Sequence, residues 1–147
     1  MAEAVLDANV LVRFLTEDPP AMVERADEIL HAAEEHEVAL VVAPLTLAEV
    51  VFVLESVYGW KRREIAVGLV GLLAADVLEV LEDTTVRQAL EWYERMPSVH
   101  FADAYACAVA VGRGHGAVVS FDHALRRVPG VRRIERARDI VDITRPA

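Results

Sequence analysis

The chain has 147 residues, 54% of them hydrophobic, one cysteine and a formal net charge of −9. This suits one domain, residues 1–147, with one substantial core, and argues against disorder; the lone Cys107 excludes an intrachain disulfide and a cysteine-based zinc site. The apolar runs are too short or too interrupted to span a bilayer and no basic-then-apolar leader opens the chain, so a cytoplasmic protein with no membrane partner is expected.

In chain order, Ala4–Leu6 is a short apolar strand ending at Asp7, and Asn9–Leu15 continues as a helix with Val10, Leu11, Phe14 and Leu15 at helical spacing. After the break Glu17–Pro20, a second helix runs from about Ala21 to Glu35, with Met22, Ala26, Ile29, Leu30 and Ala33 expected inward. Val38–Ala43 is a second strand, stopped by Pro44. Thr46 opens a third helix to about Val57, and Gly59 closes it. A fourth helix carries Ile65, Leu69, Leu72 and Leu73 and forms a hairpin with the third; Gly68 and Gly71 would let it pack closely on another helix.

Val77–Leu81 is a third strand, and Asp83 or Thr84 caps a fifth helix that ends near Arg95, before Pro97. The stretch from His100 to Asp122 then reads as a helix, a glycine break and a buried-type strand, Ala117–Phe121. Ala106, Cys107, Ala110 and Val111 form the small apolar face by which this helix would lie on the sheet. A short helical turn, Pro129-Gly130, a weak strand at Val131–Ile134 and a polar tail complete the chain. Strands alternating with helices predict an α/β fold, a three-layer α/β/α sandwich on a mostly parallel sheet of four to five strands.

Four acids fall at junctions in this pattern. Asp7 follows the first strand, Glu49 completes Thr46-Leu47-Ala48-Glu49, Asp103 lies in a first helical turn, and Asp122 follows the fourth strand. Singly, each has a modest explanation: an N-cap, a capping box, a carboxylate favoured by the helix dipole, and another cap. Together they matter more, because in a parallel sheet every strand ends at the same edge, where open α/β sheets bind ligands. The nearest basic residue to Asp7, Arg13, lies a turn or more into its helix. Converging carboxylates need a counter-charge, and an all-oxygen site is what Mg2+ or Mn2+ prefers. Such a site activates water against a phosphodiester without a histidine base.

Charge is unevenly spread. From His123 onward seven arginines (126, 127, 132, 133, 136, 138 and 145) face three acids, a net of +4, which leaves −13 on the preceding 122 residues. A basic surface on an acidic body makes Arg126 and Arg127, just after Asp122, candidates for binding RNA phosphates. The five histidines (31, 36, 100, 115, 123) lack ligand spacing, and Trp60, Trp92 and Tyr93 read as packing residues.

The segments Asp7-Ala8-Asn9-Val10-Leu11, Thr46-Leu47-Ala48-Glu49, Phe101-Ala102-Asp103-Ala104 and Ser120-Phe121-Asp122 resemble, in order and spacing, the four motifs of PIN-domain ribonucleases, and among these the VapC toxins of toxin–antitoxin pairs. The resemblance implies a metal-dependent endoribonuclease, with Asp7, Glu49, Asp103 and Asp122 as catalytic metal-site acids and Asn9 and Ser120 as supporting polar residues. It also implies a small antitoxin partner and a homodimer, both using the helices of residues 46–73. Many relatives carry a further acid two residues after the last aspartate; here Ala124 stands there, which bears on a second metal. Two other acid-gathering folds do not fit. A phosphoacceptor receiver needs a lysine near the last strand, and Lys61 is the one lysine; a haloacid-type phosphohydrolase needs Asp-x-Asp where this chain has Asp7-Ala8-Asn9. The alternative of another class is a non-catalytic PIN-like module that binds protein.

Overall fold

A computed structural model describes residues 2–144 of the chain; Arg145, the last of the C-terminal arginines, lies outside them. The chain divides between Asp83 and Thr84 into two compact units.

The first unit contains β1 (Glu3–Val5), α1 (Ala8–Thr16), α2 (Pro20–Glu35), β2 (Ala39–Val42), α3 (Pro44–Ser56), α4 (Arg62–Leu73) and β3 (Leu78–Val80). The strands pair in the order β1-β2-β3, all parallel, with Ala4 opposite Leu40 and Leu40 opposite Leu78. Because β1 and β2 run the same way, the chain leaves both at one edge of the sheet to enter α1 and α3. The core follows helical spacing: Leu47, Val50, Val51 and Leu54 on α3 and Ile65, Ala66, Leu69 and Leu73 on α4 are buried. Gly68 does allow a close approach, since a Cβ there would lie 3.2 Å from Leu15 Cδ2 and 3.6 Å from a Trp60 ring carbon, whereas one on Gly71 would meet nothing.

Two expectations for this unit change. Pro44 does not merely stop the strand; it begins α3, where its fixed φ suits the first helical turn and its missing N–H costs nothing. On α2, Ala26 and Ala33 are buried, but Met22 and Ile29 are exposed.

The second unit holds most of α5 (Asp83–Arg95), then α6 (Phe101–Gly112), β4 (Ala117–Val119), a 3-10 turn (His123–Arg127), β5 (Arg132–Ile134) and α7 (Ala137–Asp142). Strands β4 and β5 pair in parallel. Within each of the two sheets, one of three strands and one of two, the strands are parallel, and the α/β class stands. Trp92 and Tyr93 are buried, and Tyr93 meets Phe101 edge to face at 6.0 Å between ring centres. Gly116 (φ +63) precedes β4 in a left-handed conformation, and a Cβ there would strike the Gly130 carbonyl.

The buried face of α6 is Phe101, Ala104, Cys107 and Ala108; Ala106, expected inward, is exposed. The predicted strand to Phe121 is shorter and less buried than its apolarity suggested: Val119 ends it, and Phe121 is 82% exposed. The polar tail contains a helix, α7, which the sequence reading left out. Its start is marked by Asp139, whose carboxylate accepts the backbone N–H groups of Glu135 and Arg136 at 3.1 and 3.0 Å.

Candidate active site

Asp7 ends the segment after β1 with extended backbone, and its Oδ1 accepts the Ala8 N–H at 2.9 Å. It caps α1, as its position suggested, and this leaves its second oxygen for a ligand. Asp122 does the same for the 3-10 turn, accepting the Ala124 N–H at 3.0 Å. Position 124 thus contributes its backbone N–H to this cap.

Glu49 does not cap. With α3 starting at Pro44 on the N-cap Ala43, Thr46 is already inside the helix and the capping-box geometry is lost. Glu49 is exposed, and among the described residues it has no hydrogen-bond or ion-pair partner. It lines a cavity of about 310 Å³ together with Asp7, Asn9, Arg13, Val53 and Tyr58. The two acids of the first unit therefore share one cleft at the strand ends, and Asn9 shares it with them. They are not alone there: Arg13, one and a half turns along α1, reaches the same cleft, contrary to the expectation of carboxylates without a cation nearby. It forms no ion pair with either acid; its Nη1 donates to the Asp18 carbonyl at 3.1 Å and lies 3.4 Å from the Tyr58 hydroxyl.

In the second unit, α6 packs on β4, bringing its first turn back toward the strand's end. The consequence is visible at Cys107, one turn along α6 from Asp103. Burial pushes its thiol up to about 11, and the charges of Asp103 and then Asp122 add to the rise. Both acids of this unit are thus close enough to act on one buried atom. Asp103 has no hydrogen-bond or ion-pair partner among the described residues.

Ser120 orients the loop, its Oγ accepting the Asp122 N–H at 3.0 Å. Arg133, which the sequence reading had counted only as one of several surface charges, is the residue that holds this loop. Its side chain is 10% exposed, and its guanidinium donates to the Ser120 carbonyl at 3.1 Å and to Glu135 at 2.9 Å, with His123 Nδ1 at 3.3 Å. That hydrogen bond holds the Glu135 carboxyl below the usual carboxylate range. The signal available in sequence was weak: Arg133 is the middle residue of a three-residue strand, half-buried between an exposed Arg132 and a buried Ile134. Arg126 and Arg127 are exposed at the end of the 3-10 turn, without a partner among the described residues.

The donor set suits a hard divalent cation: carboxylate oxygens with one side unspent, in pairs, and Mg2+ keeps several waters while taking one or two carboxylates. Among the described residues no group of three or more His, Cys, Asp or Glu is gathered tightly enough to hold a metal. The histidines at 31, 36, 100, 115 and 123 are all exposed. Among known families, residues 4–131 match the PIN domain. No curated protein and no solved structure matches the chain.

Proposed function

We propose, from the premise that the chain belongs to the PIN-domain family, that it is an Mg2+- or Mn2+-dependent endoribonuclease acting as the toxin of a toxin–antitoxin pair. PIN domains are generally nucleases and commonly use a divalent metal. The observation that carries the reading is Glu49: an exposed carboxylate that caps nothing, has no partner among the described residues and shares a cleft with Asp7.

In this reading Asp7, Glu49, Asp103 and Asp122 hold the metal, which when bound makes water a stronger nucleophile and offsets charge on the phosphodiester. Asp7 and Asp122 each present the oxygen left over from capping, fixed in direction by the backbone N–H on the other. Asn9 lines the cleft beside Asp7, and Ser120 sets the loop that ends at Asp122. Arg126 and Arg127 lie four and five residues after Asp122, at the end of the turn it caps, and draw the RNA backbone toward it. The natural setting is the cytoplasm, where structured RNA is the substrate. Among the described residues no helix is long and apolar enough to cross a membrane.

Partners fit the same reading. Leu45, Phe52 and Val57 on or just after α3, and Val67 and Val70 on α4, are exposed, with Phe52 at 67%. So many large apolar groups on one helical hairpin support an interface, used for a homodimer and for a small antitoxin. Light scattering that shows a monomer both alone and with the antitoxin candidate would remove this part.

The central test is cleavage of mixed RNA with Mg2+ or Mn2+, with and without chelator. Cleavage that needs the metal and disappears in Glu49→Gln is expected. A wild type that leaves RNA intact in every metal, while still binding a protein partner, would instead make this a non-catalytic PIN-like module.

A further inference from the structure

Arg13 has the placement of a substrate-binding group. It lines the cleft that holds Asp7 and Glu49, and also a neighbouring cavity of about 120 Å³ that includes Arg25. It is the basic residue common to both. Its guanidinium is held from one side only, by the Asp18 carbonyl and the Tyr58 hydroxyl on Nη1. Its Nε is buried without an acceptor, and Nη2 has none among the described residues. Nη2, unlike Nε, is not buried, so this end of a permanently charged group is open to an anion, and a guanidinium suits phosphate oxygens.

The carboxylates in the cleft do not meet this need, since neither is in ion-pair contact with Arg13. They create a second one, because two negative charges repel an approaching RNA strand. A bound metal offsets that repulsion only at its own position; the neighbouring phosphate needs a cation of its own. We propose that Arg13 binds the phosphate next to the scissile one, that Tyr58 holds the guanidinium in register, and that Arg25 continues the basic track to the following phosphate. This rests on the nuclease reading and names how that site takes its substrate. The competing role is structural: Arg13 lies in the last turn of α1, where a cation suits the helix dipole, and it ties down the carbonyl of Asp18.

The two roles separate in the salt dependence of binding. A short mixed-sequence single-stranded RNA is titrated against the full chain in a Glu49→Gln background, so that bound RNA survives, with and without Arg13→Gln, Arg13→Lys, Arg25→Gln or Tyr58→Phe. Losing one phosphate contact lowers the slope of log K against log salt by about 0.7 for a single strand. Arg13→Gln and Arg25→Gln should each show that drop. Arg13→Lys and Tyr58→Phe keep the charge and should keep the slope, but weaken binding severalfold. On the otherwise wild-type chain, Arg13→Gln should raise KM by about tenfold with kcat little changed, the size of one charge-assisted hydrogen bond. Melting is followed for every variant. If Arg13→Gln lowers the melting temperature and leaves slope and KM alone, Arg13 is a structural tie and the proposal is overturned. Should Arg13→Gln fail to fold, unchanged RNA affinity in both Arg13→Lys and Tyr58→Phe overturns it equally. A wild type that cuts RNA with unaltered Arg13 variants sinks only this assignment; a wild type that neither binds nor cuts RNA sinks the nuclease reading and this with it.

Discussion

Arg133 donates to the backbone carbonyl of Ser120 at 3.1 Å, so that a largely covered side chain on β5 fixes the loop leading from β4 to Asp122. Ser120 in turn receives the Asp122 N–H on its hydroxyl. Asp122 is thus aimed by a residue eleven positions later. Replacing Arg133 with methionine keeps the bulk and removes every donor. The loss of charge-assisted hydrogen bonds should lower the melting temperature by roughly 5 °C and reduce cleavage more than RNA binding. Equal losses in both would mean the loop contributes to binding alone, and neither changing would mean the contact is idle.

The same corner of the molecule sets a response to acid. The hydrogen bond from Arg133 holds Glu135 below its ordinary value, and backbone N–H groups, first that of Glu135 and then that of Arg136, hold Asp139 below its own. Both groups bind fewer protons folded than unfolded. Their contribution is fully present above the ordinary carboxylate range, about pH 4, and is lost as pH falls through the lower folded values. Thermal melts from pH 6 downward should show a drop beginning near that point, shallower in Glu135→Gln and Asp139→Asn. An acid limb that is the same in both variants as in the wild type would show that these carboxylates are not what the acid titrates.

Cys107 offers a probe of its two acidic neighbours. Its thiol is buried and raised to about 11, so alkylation at pH 8 should be much slower than for an exposed thiol. A carboxylate nearby disfavours the thiolate, so neutralising one lowers the thiol pKa toward its ordinary value. Asp103→Asn should do this more than Asp122→Asn, following the order of their effects. Titrating the thiolate absorbance in the three proteins checks it, and identical curves would place both acids too far away to matter.

How far these features were legible in the sequence depends on the kind of residue. Periodicity located every strand and the first six helices, because an apolar set such as Ile65, Leu69 and Leu73 on α4 has one way to be buried. The junction acids were legible too, since a strand followed by a helix puts its last polar residue at the sheet edge. What failed was local competition. Pro44 moved the start of α3 by two residues and turned Glu49 from a cap into an unpartnered carboxylate. Phe121, apolar and flanked by a strand, was assigned to the interior, yet the strand ends at Val119 and the ring is exposed. Arg13 and Arg133 could not be told from surface arginines, because what sets them apart is a partner far along the chain: Tyr58 for one, Ser120 for the other.

The sign of a stability change at Asp7 and Glu49 separates a metal site from a set of helix caps. Asp7 is a cap in fact, through its bond to the Ala8 N–H, and asparagine serves nearly as well in that role, so Asp7→Asn keeps the cap, removes one of the two like charges in the cleft and should raise the metal-free melting temperature slightly. Glu49 caps nothing, so Glu49→Gln removes one of two like charges in a shared cleft and should raise the metal-free melting temperature slightly, never lower it. Adding Mg2+ or Mn2+ at a hundred times its dissociation constant should stabilise the wild type by about 2.7 kcal/mol by mass action. Each variant should lose most of that gain, and cleavage should fall with it, because a site short of one carboxylate would hold the metal too weakly to activate water. Melting curves of the three proteins across a metal titration, run beside the cleavage assay, decide the matter. If the metal shifts all three melts equally and the variants still cut RNA, it binds elsewhere, and Glu49 is only an exposed glutamate on a helix.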